Sequence, residues 1–171
     1  MFIQHRAMAG LSSWNNWRHR IRIASQMRAA RPYSDSKPYH VTDVYWIYAV
    51  RKKEPYPSPT PRSGKWLAFG NPEEIDLLWA KIKTATEQGK LGGYSKVATA
   101  RMNFGAPSAN RRVICVFTYD SEDLRDVMRV RQALRELGVT EKTGYKTDEK
   151  TMAGAYVNRG CSPEDVWKYQ D

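Results

Sequence analysis

At 171 residues, with 41% hydrophobic and 27% charged side chains, the chain has the length of one ordinary domain and enough apolar residues to bury a core. A formal net charge of +10 excludes an acidic, solvating protein and favours a polyanionic or phosphorylated partner. No apolar run approaches the ~20 residues of a membrane-spanning helix, and two cysteines, Cys115 and Cys161, make no disulfide framework.

The basic excess is uneven. Residues 1–34 hold six arginines and no Asp or Glu, and without them the chain carries only +4, an ordinary soluble surface. Such a composition suits a mitochondrial or chloroplast transit peptide. It equally suits a disordered basic arm, or upstream sequence ahead of Met8 or Met27. Residues 1–40 are therefore set apart as a basic leader or arm, and 41–171 are expected to form a single domain. The expected location is cytoplasmic, or the mitochondrial matrix if residues 1–34 are a transit peptide.

Val41–Val50 is aromatic and β-branched and reads as the first core strand. In Arg51–Ser63, prolines at 55, 57, 59 and 61 rule out a sheet interior and predict an extended, polyproline-like loop, either a stiff connection or a ligand for a proline-reading domain. Lys65–Phe69 is a short strand. Asn71-Pro72-Glu73-Glu74 then starts a helix: a side chain that caps free N–H groups, a proline suited to the first turn, and two acids at the positive end of the dipole. Ile75, Leu78, Trp79 and Ile82 give that helix one apolar face, and Gly89 stops it.

Tyr94–Ala100 reads as a strand, Met102–Arg111 as a loop, and Arg112–Tyr119, apolar on both faces, as a central strand with Cys115 a buried thiol. Asp120 or Ser121 is expected to cap a second helix over Glu122–Leu137, with Leu124, Val127, Met128, Leu134 and Leu137 buried. Its arginines 125, 129, 131 and 135 are expected in solvent. Thr143–Lys146 and Gly154–Val157 are short candidate strands, and Ser162 caps a terminal helical turn. Two strands fall between the helices, so hairpin pairing is favoured over strict βαβ alternation. The predicted class is α+β, a mostly antiparallel curved sheet backed by two main helices.

No zinc spacing, Walker motif or GxGxxG is present, no histidine lies in the core segments, and no metal or cofactor is expected. What remains is a set of cations at strand ends: Lys65, Lys96, Arg101, Arg111, Arg112 and Lys146. A lysine or arginine in a part-buried strand needs an anionic partner, either a protein carboxylate or a phosphate-bearing ligand. A lysine desolvated there also has a lowered pKa and can serve as a base.

The phrases SGKWLAF, EEIDLLWAKIKTATEQGKLG, SKVATA, RVICVFTYD, DVMRVRQALRELGVT and YKTDEKTMAGAY, in that order, resemble the family named for a basophilic-leukaemia-expressed protein, over about residues 43–160. The resemblance implies a fold similar to the cap-binding translation initiation factor, a curved antiparallel sheet backed by helices. Bacterial relatives of this type are described as phosphothreonine-lyase domain proteins. That chemistry is a carbon–oxygen lyase reaction on phosphothreonine or phosphoserine: β-elimination with a lysine base, a histidine acid and arginines on the phosphate.

Carried over residue by residue, the resemblance implies Lys65 and Lys96 as catalytic lysines and a phosphate arginine at Arg101 or Arg112; Lys146, with Tyr145 before it, joins the expected phosphate-binding groups from the set of strand cations. The histidine position falls on Leu67, which cannot donate a proton. The implied function is a phosphate-ligand-binding domain, lyase-like with a degenerate general acid, its partner a phosphorylated peptide or another phosphate-bearing ligand. The alternative is a non-catalytic module making an RNA or cap-like contact, or an assembly contact. For a cap site Trp46, Trp66 and Trp79 are available, with Trp66 and Trp79 expected in the core.

Overall fold

The computed structural model describes residues 23–101 and 110–171. Helix α1 covers residues 23–30. Five further strands and four further helices follow β1 (Trp46–Val50): β2 (Gly64–Gly70), α2 (Pro72–Glu87), β3 (Tyr94–Ala98), β4 (Arg112–Thr118), α3 (Leu124–Glu136), β5 (Gly144–Thr147), α4 (Asp148–Met152), α5 (Pro163–Val166) and β6 (Tyr169–Gln170). The six strands form one sheet in the order β1-β3-β4-β2-β5-β6, and every pairing is antiparallel. The class is α+β, as the sequence predicts.

Helix α2 starts as its residues dictate. Asn71 accepts from the Glu74 N–H, and the Glu74 carboxylate accepts from the Asn71 N–H, a complete capping box ahead of Pro72. Gly89, at φ +82°, ends it in the left-handed conformation that glycine takes without strain. Ile75, Trp79 and Ile82 of α2 and Val127, Val130 and Leu134 of α3 pack on one sheet face, against Ile47, Trp66, Ala68, Val97, Ile114 and Val116. Leu78 and Met128 sit at the margin of this core.

Several expectations are corrected. Helix α3 is capped by Asp123, whose side chain accepts from the Asp126 N–H, because Asp120 is taken up by Arg62 and Thr60. Leu124 lies in the first turn and is exposed, whereas Arg131, expected in solvent, is fully buried. Its guanidinium donates to the carbonyls of Val139, Glu141 and Asp171, so the buried charge is hydrogen-bonded throughout. Gly154–Val157 is not a strand. Thr147 caps α4 instead, and a 3₁₀ turn follows at Val157–Arg159. The chain also packs on the sheet earlier than the expected boundary at residue 41, since Ala30 and Pro38 are buried and Tyr33 joins the margin of the core. Residues 1–22, most of the expected leader, and most of the loop 102–111 lie outside the described residues. Among the described residues no helix is long and apolar enough to cross a membrane.

Candidate functional site

Side chains alternate across a strand, so the helices claim one set and leave the other. Trp66, Tyr145 and Val116 point to the core. Lys65, Lys146, Phe117, Cys115, Lys96, Tyr94, Tyr48 and Trp46 therefore share the opposite face. The register sets them in rows. Tyr94 stands opposite Phe117, Phe117 opposite Lys65, and Lys65 opposite Lys146. The next row runs through Tyr48, Lys96, Cys115 and Leu67.

Two lysines thus flank one aromatic ring, and a third, Lys146, stands beside Lys65 on the neighbouring strand. Phe117 stacks on Tyr94 with centroids 4.1 Å apart, and the Lys65 and Lys96 ammonium groups stand 5.3 Å and 5.6 Å from its centroid. Lys96 also lies 4.1 Å over the Trp46 ring, close enough for a cation–π attraction. Lys65 is 6% exposed and is ion-paired to Asp148, with a second hydrogen bond to Thr151 Oγ1 at 2.8 Å. Ser63 donates to the other Asp148 oxygen at 2.7 Å. Lys146 is 2% exposed, donates to the Ala155 carbonyl and lies 3.5 Å over the Tyr156 ring. Burial, with the Lys65 charge beside it, pulls the Lys146 ammonium down to about 8. Burial likewise holds the Cys115 thiol well above its usual range.

Two parts of the face are covered. Helix α4 and residues 153–156 lie over the β2–β5 corner through the contacts just given. Helix α1 reaches the β1 edge, where Tyr48 donates to Gln26 Oε1 at 2.9 Å. Between them Trp46, Lys96, Leu67 and Val113 are half-buried and Phe69 is exposed. Arg111 lies 5.1 Å over the Phe69 ring, and Arg101 4.2 Å over Tyr45 while donating to the Asp43 carbonyl.

The sequence-expected residues divide accordingly. Lys65, Lys96 and Lys146 come together. Arg101 stands at the rim. Arg112 is paired with Gly70 on the helix-facing side, apart from the lysines. Tyr145 is in the core, its hydroxyl within 2.7 Å of Thr118 Oγ1 and its ring against Trp66 at 5.3 Å, so it offers nothing to a ligand on the lysine face. Trp66 and Trp79 are buried as expected. Phe117, Tyr94 and Asp148 escaped the sequence reading. The parity of β4 relative to Val116 was the available signal for Phe117. Among the described residues no cluster of His, Cys, Asp and Glu could hold a metal ion.

Comparison with solved structures finds similarity to a Caenorhabditis elegans eIF4E-3 in complex with the 4E-binding protein Mextli, at 18% identity, TM-score 0.42, over 53% of this chain and 55% of that one. A schistosome eIF4E complexed with m7GpppA and 4E-BP is 13% identical at TM-score 0.49, over 64% and 59%. An Ascaris suum eIF4E-3 with m7G cap is 19% identical at TM-score 0.40, over 51% of each chain. The chain spans between half and three-fifths of the length of these proteins. A family model, Basophilic leukemia-expressed protein Bles03, matches residues 60–154. That stretch is more than half of the sequence and contains all three gathered lysines, and the chain belongs to the Bles03 family.

Proposed function

We propose that the domain is a binding module that takes a phosphate-bearing, ring-containing ligand, a nucleotide or the 5′ end of an RNA strand, on the half-open centre of its lysine face. One observation carries this reading: Lys96 lies 4.1 Å over the Trp46 ring and 5.6 Å from the Phe117 centroid, with Lys65 5.3 Å from the same Phe117 centroid. Aromatic rings interleaved with cations suit bases and phosphates together, since a base stacks on a ring while the cation meets the phosphate.

The elimination of phosphate from phosphothreonine is the second reading, and the lowered pKa of Lys146 favours it, because a lysine titrating near 8 is partly a free base at neutral pH. Against it, Lys65 is committed to Asp148, and Leu67 stands where the acid is needed. Binding without chemistry is the better fit.

The test is fluorescence anisotropy at low salt with short ribo-oligonucleotides, capped, 5′-triphosphorylated and 5′-hydroxyl, beside a phosphothreonine peptide followed by mass spectrometry. Expected are saturable binding that needs the 5′ phosphates and no dehydro product. Trp46→Ala should lower affinity about tenfold or more, since stacking contributes ~1–3 kcal/mol per base. Lys96→Ala should lower it about ten- to a hundredfold, from ~1.5–3 kcal/mol for a charge-assisted contact. Binding that ignores the 5′ phosphates, or is unchanged in both variants, overturns the proposal. Loss of phosphoric acid from the peptide establishes the lyase instead.

A further inference from the structure

Between β1 and β2 the chain passes through Pro55, Pro57, Pro59 and Pro61. Residues 55–59 lie in no helix or strand, and their backbone makes no backbone hydrogen bond among the described residues. The segment is pinned on both sides. The Tyr56 hydroxyl donates to Asp126 Oδ2 at 2.5 Å, and its ring lies 4.7 Å under the Arg51 guanidinium. At the other end the Thr60 N–H donates to the Tyr119 carbonyl at 2.9 Å, and the Thr60 hydroxyl donates to Asp120 Oδ2 at 3.1 Å. Midway, Ser58 is exposed and its hydroxyl has no hydrogen-bond partner among the described residues.

Ser58, Thr60 and Ser162 are each followed by proline, and the fold treats them differently: Ser162 caps α5 and its hydroxyl already donates to Asp165 Oδ2 at 2.8 Å. A protein kinase takes its substrate hydroxyl on an extended, solvated backbone. Proline at the next position supplies that backbone and removes an N–H that would otherwise need a partner. Ser58 meets these conditions. The Thr60 hydroxyl and amide are already spent on Asp120 and Tyr119.

We propose that Ser58 is a phosphorylation site for a proline-directed serine/threonine protein kinase, and that Thr60 is not. In the reaction the γ-phosphoryl group of ATP passes to Ser58 Oγ. An Oγ–P bond forms, the bond from the γ-phosphorus to the β–γ bridging oxygen breaks, and ADP leaves with that electron pair. The hydroxyl proton goes to the kinase's carboxylate base. The product carries an added charge of about −1.5 to −2. Ser58 lines one open cavity of about 510 Å³ together with two cations, Arg51 and Lys52, and one acid, Glu54. The Arg51 guanidinium is already held by the carbonyls of Lys53, Glu54 and Leu91, at 3.0, 2.9 and 2.7 Å. Arg51 is thus an ordered side chain, and contact with a phosphate would cost it little further freedom. The proposal is independent of the ligand assigned to the sheet face.

The experiment incubates the full chain with a proline-directed kinase and ATP, counts phosphoryl groups by intact mass, and locates them by fragmentation. A synthetic peptide covering residues 51–63 runs alongside. The expected result is one phosphoryl group on the folded chain, on Ser58, abolished by Ser58→Ala and restored by Ser58→Thr. The free peptide, lacking the Asp120 and Tyr119 contacts, should accept phosphate at Thr60 as well. Equal labelling of Thr60 in the folded chain overturns the inference. So does an unlabelled chain, whether or not the peptide is labelled.

Discussion

Lys65 and Lys146 stand directly opposite each other on antiparallel strands, where like charges oppose pairing. Asp148 offsets the Lys65 charge by its ion pair. Removing that carboxylate leaves a buried ammonium without its partner. Asp148→Asn should therefore destabilise the fold by ~3–5 kcal/mol, the usual range when one member of a buried pair is lost, measured by urea denaturation at pH 7. Lys146 acts in the opposite sense. Its folded-state pKa, about 8, lies below the ordinary lysine value, so the unfolded chain binds its proton more tightly. Below about pH 8 the lysine is charged in both states and burial disfavours folding. From about 8 up to the ordinary lysine range the folded state loses its proton first, and stability rises with pH. Lys146→Met should be more stable than the parent at pH 7, with the rise between about pH 8 and 10 flattened, as read from thermal melts across pH. A parent that loses stability over that interval would contradict the assignment.

At the level of elements, strand parity and helix period explain which parts the sequence made readable. Helix α2 was legible to the residue because its start is written as Asn-Pro-Glu-Glu and its apolar face repeats at helical spacing. Trp79→Ala should cost ~3–5 kcal/mol by denaturant titration, as for other buried large aromatics, because Trp79 is packed within the core and not at its margin. Helix α3 was less legible. Arg131 looked like its three neighbouring arginines, and the carbonyls that hold it belong to residues 139, 141 and 171, beyond the helix, where periodicity cannot see them. The lysines of β2, β3 and β5 were found from their strands. Tyr145 and Lys146 are neighbours on β5, so alternation sends them to opposite faces and only one of them can meet a given ligand. Asp148 was hidden because α4 is five residues long and no apolar period announces it. The pins at Tyr56 and Thr60 were likewise unreadable, because their carboxylate partners lie 70 and 60 positions away.

Across the whole molecule, the sheet order departs from the chain order. Strand β1 leaves the proline segment behind and pairs with β3, β2 finds β4, and β5 returns to the outer side of β2. The lysine face exists only once β2 has neighbours on both sides, because its three lysines come from β2, β3 and β5. The contact that closes this arrangement joins Lys65 to Asp148, 83 positions apart. Closing so long a loop costs entropy before any pairing offsets it. Sheets dominated by such distant pairings form in milliseconds to seconds, where local helical contacts take microseconds. Helix α2, with its local cap and stop, can form early, and the partnering of Lys65 must wait for the fifth strand. On a growing chain, the lysine of β2 therefore emerges well ahead of its carboxylate and stays hydrated until Asp148 has been made. The feature that shields the charge in the finished fold is delivered 83 residues after the charge itself.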